Sequence, residues 1–139
     1  MLDDTDKLIL ENLSKNSRIT MKELGENVHL TGQAAASRVF KLEDNGIIEG
    51  YTIKVNHENL GNCIHVMLNI YTKSIHHQAY LLFINSQEEY ILHNYKVSGD
   101  GCYLLECKFP SNEILDKFLV DLNMHVNYKL TFIIKDTIK

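Results

Sequence analysis

The 139-residue chain is long enough for one ordinary domain or two small ones, and with 45% hydrophobic residues, 23% charged residues and one proline it excludes extended disorder. No apolar run approaches the roughly 20 residues needed to cross a bilayer, and the acidic start MLDDTDK is the reverse of a basic signal-peptide opening, so a cytoplasmic location is expected. The formal charge of -4, with seven Lys or Arg against nine Asp or Glu over residues 1–56, excludes a broadly basic chain; contact with phosphates depends on the docking face and not on this sum.

The segment LDDTDKLILENLSKNSR offers Asp3 or Asp4 as a helix N-cap, with Leu8, Ile9 and Leu13 as an apolar stripe before a polar break over residues 14–18. Thr20 and Glu23 then match a capping box for a second short helix that buries Leu24 and Val28 and ends within residues 25–29. Thr31 supplies a third N-cap, and this helix runs to about Asp44, where Asn45-Gly46 gives a left-handed stop. Along it Ala35, Val39 and Leu42 share one face, leaving Gln33, Ala34, Ser37, Arg38 and Lys41 on other sides. IIEGYTIKV, residues 48–55, switches to strand period.

The polar stretch HENLGN, residues 57–62, marks a domain boundary. Beyond it Ile64, Val66, Leu68 and Ile70 alternate in a strand over residues 63–73, and a helix is expected over residues 75–85 with Ala79, Leu82 and Phe83 on its apolar face. Two strands follow, with Ile91, Tyr95 and Val97 sharing a face in the first and Tyr103, Leu105, Cys107 and Phe109 in the second. They flank the turn Ser98-Gly99-Asp100-Gly101. Leu115, Phe118, Leu119 and Leu122 mark a further amphipathic helix, and a last strand spans residues 128–136. The order β-α-β-β-α-β is that of a ferredoxin-like sandwich, two helices on one face of a four-stranded antiparallel sheet. Its other face, with Met67, Tyr71, Leu92, Leu104 and Ile133, reads as apolar enough to drive self-association.

Chemistry is sparse. His76 and His77 are adjacent on the expected helix and diverge by about 100°, and the other histidines lack metal-ligand spacing. Cys63, Cys102 and Cys107 form no C-x-x-C pair and leave one unmatched in any disulfide scheme, which fits a reducing compartment. Cys102 and Cys107 face opposite sides of their strand, and they read as small apolar strand residues. No glycine pattern for phosphate or dinucleotide binding is present. Neither catalytic nor metal-ligating residues are therefore assigned. The helical unit is more informative: capped helix, short turn, capped helix and strand is the plan of a winged helix-turn-helix. On the third helix small residues at Ala34, Ala36 and Ser37 would let the backbone approach a major groove. Gln33 and Arg38 would reach base edges, Lys41 a phosphate, and the N-terminus at Thr31 another phosphate. The same pattern also fits a three-helix protein-interaction module with a solvated outer face.

The stretches LDDTDKLILENLSKNSRITMKELGENVHLT, SRVFKLEDNGIIEGYTIKVNHENLG and VSGDGCYLLE, in this order and at these intervals, resemble the Lrp/AsnC (leucine-responsive, feast/famine) transcription regulators across nearly the whole chain. The resemblance implies an α+β chain with a winged helix-turn-helix DNA-binding domain over residues 1–50 and a hinge strand and linker over residues 51–61. A ferredoxin-like regulatory and oligomerisation domain, called RAM, would occupy residues 62–139. It implies Thr31, Gln33, Ala34, Ser37, Arg38 and Lys41 against double-stranded DNA, and residues 51–55 pairing with a partner subunit in a homodimer that assembles to an octamer or similar ring. It also implies Gly99, Asp100 and Gly101 bordering a pocket for an amino-acid or related effector, with no cofactor. The sequence departs from the family pattern at Cys102, where an Asp commonly precedes the Tyr, at LNMHVNYKLT, which lacks the usual Pro-Gly, and at Gly32, which stands in place of a proline. The function this implies is sequence-specific transcription regulation; the alternative is a DNA-architectural protein of low sequence specificity.

Overall fold

The computed structural model describes residues 1–138, and the chain divides into two compact units between Lys54 and Val55. In the first, α1 (Asp4–Lys15), α2 (Met21–Val28) and α3 (Gly32–Asp44) each begin where a side chain satisfies an orphan backbone N–H. Asp3 rather than Asp4 caps α1. Its Oδ1 accepts from the Asp6 N–H at 2.8 Å while its own N–H donates to Asp6 Oδ2 at 3.3 Å, a reciprocal box built from two aspartates. Thr20 Oγ1 accepts from the Glu23 N–H at 3.1 Å, and Thr31 Oγ1 from the Ala34 N–H at 3.0 Å. Helix α2 ends at His29 in the left-handed region (φ 63°), and α3 gives way at Gly46 (φ 72°), where the Ile47 N–H returns to the Leu42 carbonyl at 2.9 Å. Ile9, Leu13, Leu24, Val28, Ala35, Val39 and Leu42 form the core of this unit, flanked by Leu30 and Ile48.

The strand expected over residues 48–55 does not form within the chain. A strand is defined by its ladder, and this stretch has none in a single copy. Tyr51 instead donates its hydroxyl to Glu43 Oε2 at 3.0 Å, and Ile53 is 80% exposed.

In the second unit β1 (Ile64–Thr72), α4 (Gln78–Ser86), β2 (Ile91–Gly99), β3 (Gly101–Phe109), α5 (Asn112–Asn123) and β4 (Val126–Phe132) follow in the expected order. The strands form one antiparallel sheet in the order β2-β3-β1-β4, with Leu68 opposite Leu105 on one side and Leu130 on the other. Val66, Leu68, Ile70, Tyr103, Leu105, Cys107 and Phe109 pack under Tyr80, Ile84, Leu115, Phe118 and Leu122. Gly101 (φ 96°) closes the β2–β3 hairpin where a Cβ would stand 2.7 Å from the Ile70 carbonyl oxygen, so glycine is the residue that fits.

Four further expectations need correction. Helix α4 starts at Gln78 and buries Tyr80 and Ile84, while Leu82 is 66% exposed; Tyr80 reaches inward because its hydroxyl finds Asn94 Oδ1 at 2.8 Å. Ile91 and Tyr95 lie on opposite faces: Ile91 pairs with Cys107 but His93 with Glu106, so Leu92 is a bulge that reverses the alternation. Strand β4 starts and ends earlier than expected, leaving Ile134 exposed. The face of the sheet away from the helices is also less uniformly apolar than expected. Met67, Tyr71, Leu104 and Ile133 are partly exposed there, beside a His65 Nε2 to Glu106 Oε2 contact of 2.6 Å.

Candidate nucleic-acid interface

Helix α3 carries its core stripe on one side, and with about 100° of turn per residue the opposite side falls to Gln33, Ser37, Phe40, Lys41 and Asp44, all exposed. Ala34 and Ala36 lie half-buried on its shoulders, and exposed Thr31 caps its start. The structure thus exposes Gln33, Ser37 and Lys41 on the side of α3 away from its core, with Thr31 at its cap and Ala34 at the edge of that side. Gly32 seats the first turn against α2, where a Cβ would come within 3.3 Å of the Lys22 Cα.

Arg38 is placed differently from the sequence expectation. It projects from the flank toward α1, where its Nη1 donates to Asp3 Oδ2 at 2.6 Å and to Asp6 Oδ1 at 3.2 Å. A guanidinium engaged in this way ties the start of α1 to the middle of α3 and must give up those bonds to read a base edge. The Asp6 N–H, and after it the Arg38 guanidinium, hold the Asp3 carboxyl below its usual range. Phe40, 66% exposed, is the residue of this face that the sequence pattern left unremarked. The signal was its position one residue past Val39, about 100° off the buried stripe.

The second unit shows where the proposed effector residues lie. Gly99 and Gly101 pair across the hairpin with Asp100 at its tip. Tyr71 donates its hydroxyl to Asp100 Oδ1 at 2.6 Å, and Asn69 Nδ2 donates to the Asp100 carbonyl at 3.0 Å, so the tip is fastened to β1. Cys102 begins a short polar chain: its Sγ lies 3.3 Å from Thr72 Oγ1, which lies 3.2 Å from His77 Nε2, whose Nδ1 lies 3.0 Å from the Tyr103 hydroxyl. Hydrogen bonding to Thr72 lowers the Cys102 thiol from its ordinary range, whereas burial pushes Cys107 up to about 12 and leaves it inert. Among the described residues no cluster of three or more His, Cys, Asp or Glu is arranged to hold a metal, and no helix is long and apolar enough to cross a membrane.

A winged helix-turn-helix DNA-binding family matches residues 2–49, the three helices that build this face. Over 134 residues, 96% of this chain and 98% of the relative, the sequence is 66% identical to the HTH-type transcriptional regulator LrpA of Bacillus subtilis. The chain belongs to the Lrp/AsnC family. Its fold agrees throughout with a solved member, LrpC of B. subtilis, at a TM-score of 0.92 and 28% identity over 98% of this chain and 96% of that one. A second Lrp/AsnC structure, the feast or famine regulatory protein of Mycobacterium tuberculosis complexed with L-methionine, matches with a TM-score of 0.88 and 26% identity over 99% and 95% of the two chains. The relatives are named as transcription regulators, and α3 is the last of the three helices within the matched helix-turn-helix segment.

Proposed function

We propose that the protein is a homo-oligomeric, sequence-specific transcription regulator that places α3 in the major groove of double-stranded DNA and answers to an amino acid or related metabolite. The observation that carries this reading is the outer face of α3: hydrogen-bonding Gln33 and Ser37 and cationic Lys41, all exposed, with Ala34 and Ala36 as small shoulders. Gln33 suits adenine in the bidentate manner of an amide, Lys41 suits a phosphate, and the capped N-terminus at Thr31 presents backbone N–H groups to another. Arg38 supports the same surface from its flank by fixing α3 against α1, and contributes to DNA contact through that placement. Paired heads in a homodimer, assembled to an octamer or similar particle, would offset a weak charge on each head through high local concentration.

An amino-acid effector at the Gly99-Asp100-Gly101 hairpin is supported by the M. tuberculosis relative, which was captured with L-methionine. The Tyr71 and Asn69 bonds give the hairpin a fixed tip against which a neighbouring subunit could complete a pocket. Selection of bound fragments from a genomic DNA pool, with and without an amino-acid mixture, tests binding, specificity and response together. A specific-to-nonspecific affinity ratio near one would assign the protein to DNA architecture instead. On a selected fragment, Lys41→Ala is expected to weaken binding across sequences and reduce the slope of log affinity against log salt by about 1, with its melting temperature unchanged. Arg38→Ala is expected to lower affinity and melting temperature together, because it loosens α1 from α3. Fluorescence anisotropy over a salt series, with thermal melts of the same samples, separates the two.

A further inference from the structure

The recognition helix carries one large apolar side chain that the core does not use. Phe40 is 66% exposed and belongs to neither the buried cluster of its unit nor the residues packed on it. Its surroundings on α3 are polar or small: Ser37 one turn before it, Gln33 two turns before, Lys41 beside it and Asp44 one turn after. A protein-docking patch would continue the ring with further apolar surface; here the continuation on α3 is polar: hydrogen-bonding Gln33 and Ser37, cationic Lys41, and the carboxylates of Glu43 and Asp44 one turn on. Ala36 and Ser37 leave no bulky side chain between Gln33 and Phe40, so α3 can lie close to a groove floor over two turns and not by its first turn alone. The apolar group that a major groove presents to an aromatic ring is the C5-methyl of thymine.

We infer that Phe40 is a specificity-determining residue that packs on a thymine methyl, so that each half-site is read by apolar contact as well as by hydrogen bonds. This rests on the DNA-binding reading of α3. Gln33 and Phe40 are seven residues apart, about 10 Å along the helix, so a helix lying along the groove sets the thymine roughly three base pairs from the position that Gln33 reads.

The test uses the full chain and a fragment selected by the wild type, with each thymine in turn replaced by uracil, which removes the methyl and keeps the base pair. One uracil position per half-site is expected to weaken wild-type binding about fourfold, the worth of one buried methyl-sized group. Phe40→Ala is expected to bind the thymine and uracil forms alike, with Phe40→Leu between the two. Because Phe40 is outside the core, circular dichroism of both variants should match the wild type, which keeps the comparison at equal folding. Wild type indifferent to every uracil, or Phe40→Ala as discriminating as wild type, overturns the assignment. A lower oligomeric mass for Phe40→Ala in sedimentation also overturns it, by making Phe40 a contact between copies. If the wild type binds no fragment, the DNA-binding reading falls and this inference with it. If it binds and Lys41→Ala flattens its salt dependence while the methyl goes unread, only the role of Phe40 falls.

Discussion

Asp3 performs two tasks with one carboxylate, since one oxygen caps α1 through the Asp6 N–H and the other accepts from Arg38. Both favour its charged form, so its folded pKa lies below the ordinary 3.8. A carboxylate depressed in the folded state adds stability that is fully present above its unfolded value and is lost as pH falls through the folded one. Acid titration followed by circular dichroism should therefore show the helical unit weakening below about pH 4. Asp3→Asn keeps a good N-cap and removes the charge, so it should be less stable at neutral pH and show a shallower decline on acidification. The residue scale is also where the sequence was least legible. The ion pairs of Arg38 were not legible, because its carboxylate partners lie more than thirty positions away and no local pattern joins them. The exposure of Gln33, Ser37 and Lys41 was legible because it follows from helical phase alone.

The helix-turn-helix owes its tight turn to Gly25. Its Cα faces the turn between α2 and α3, where a Cβ would stand 2.6 Å from the Leu30 carbonyl oxygen and 2.9 Å from Thr31 backbone atoms. Those atoms belong to the segment that orients the Thr31 cap and the start of α3, so they cannot yield without turning the recognition helix. Gly25→Ala should destabilise the first unit by about 1 to 3 kcal/mol, the usual range for overpacking. Its DNA affinity should fall while β-sheet signals persist, as hydrogen exchange on separate peptides would report. At this scale the sequence read well wherever the cause was local: the Asp3, Thr20 and Thr31 caps, the Gly46 stop and the alternation of β3 all come from short-range chemistry. It read poorly where a distant contact decided. Helix α4 turns on its Tyr80 to suit Asn94, and one extra residue at Leu92 exchanges the faces of β2.

At the scale of the molecule, the two units differ in kind: one is built from three capped helices, the other from a sheet with helices on a single face. The open face of that sheet mixes Met67, Tyr71, Leu104 and Ile133 with the His65 and Glu106 contact, a pattern suited to a specific interface with both apolar area and polar register. Self-association through this face predicts a light-scattering mass of at least twice the 16.0 kDa monomer at micromolar concentration. Leu104→Glu should shift that mass toward the monomer and weaken DNA binding without altering the melting of the helical unit. Fold class and element order were legible from periodicity because they depend on which faces are apolar. The strand expected over residues 48–55 is absent from the single copy, since a ladder requires a second strand that one chain does not supply.

That stretch has a practical consequence. The backbone amides of Thr52 and Ile53 donate to no carbonyl among the described residues, so in an isolated copy they trade their protons with water almost as fast as a peptide would. Pairing with one strand of a second copy would slow that trade by orders of magnitude at one of the two, since successive N–H groups point to opposite edges of a strand. Deuterium uptake at whichever of the two faces the partner strand, read against protein concentration, is thus an internal gauge of assembly. It should fall as copies associate, and in Leu104→Glu it should stay fast at concentrations where the wild type is already protected.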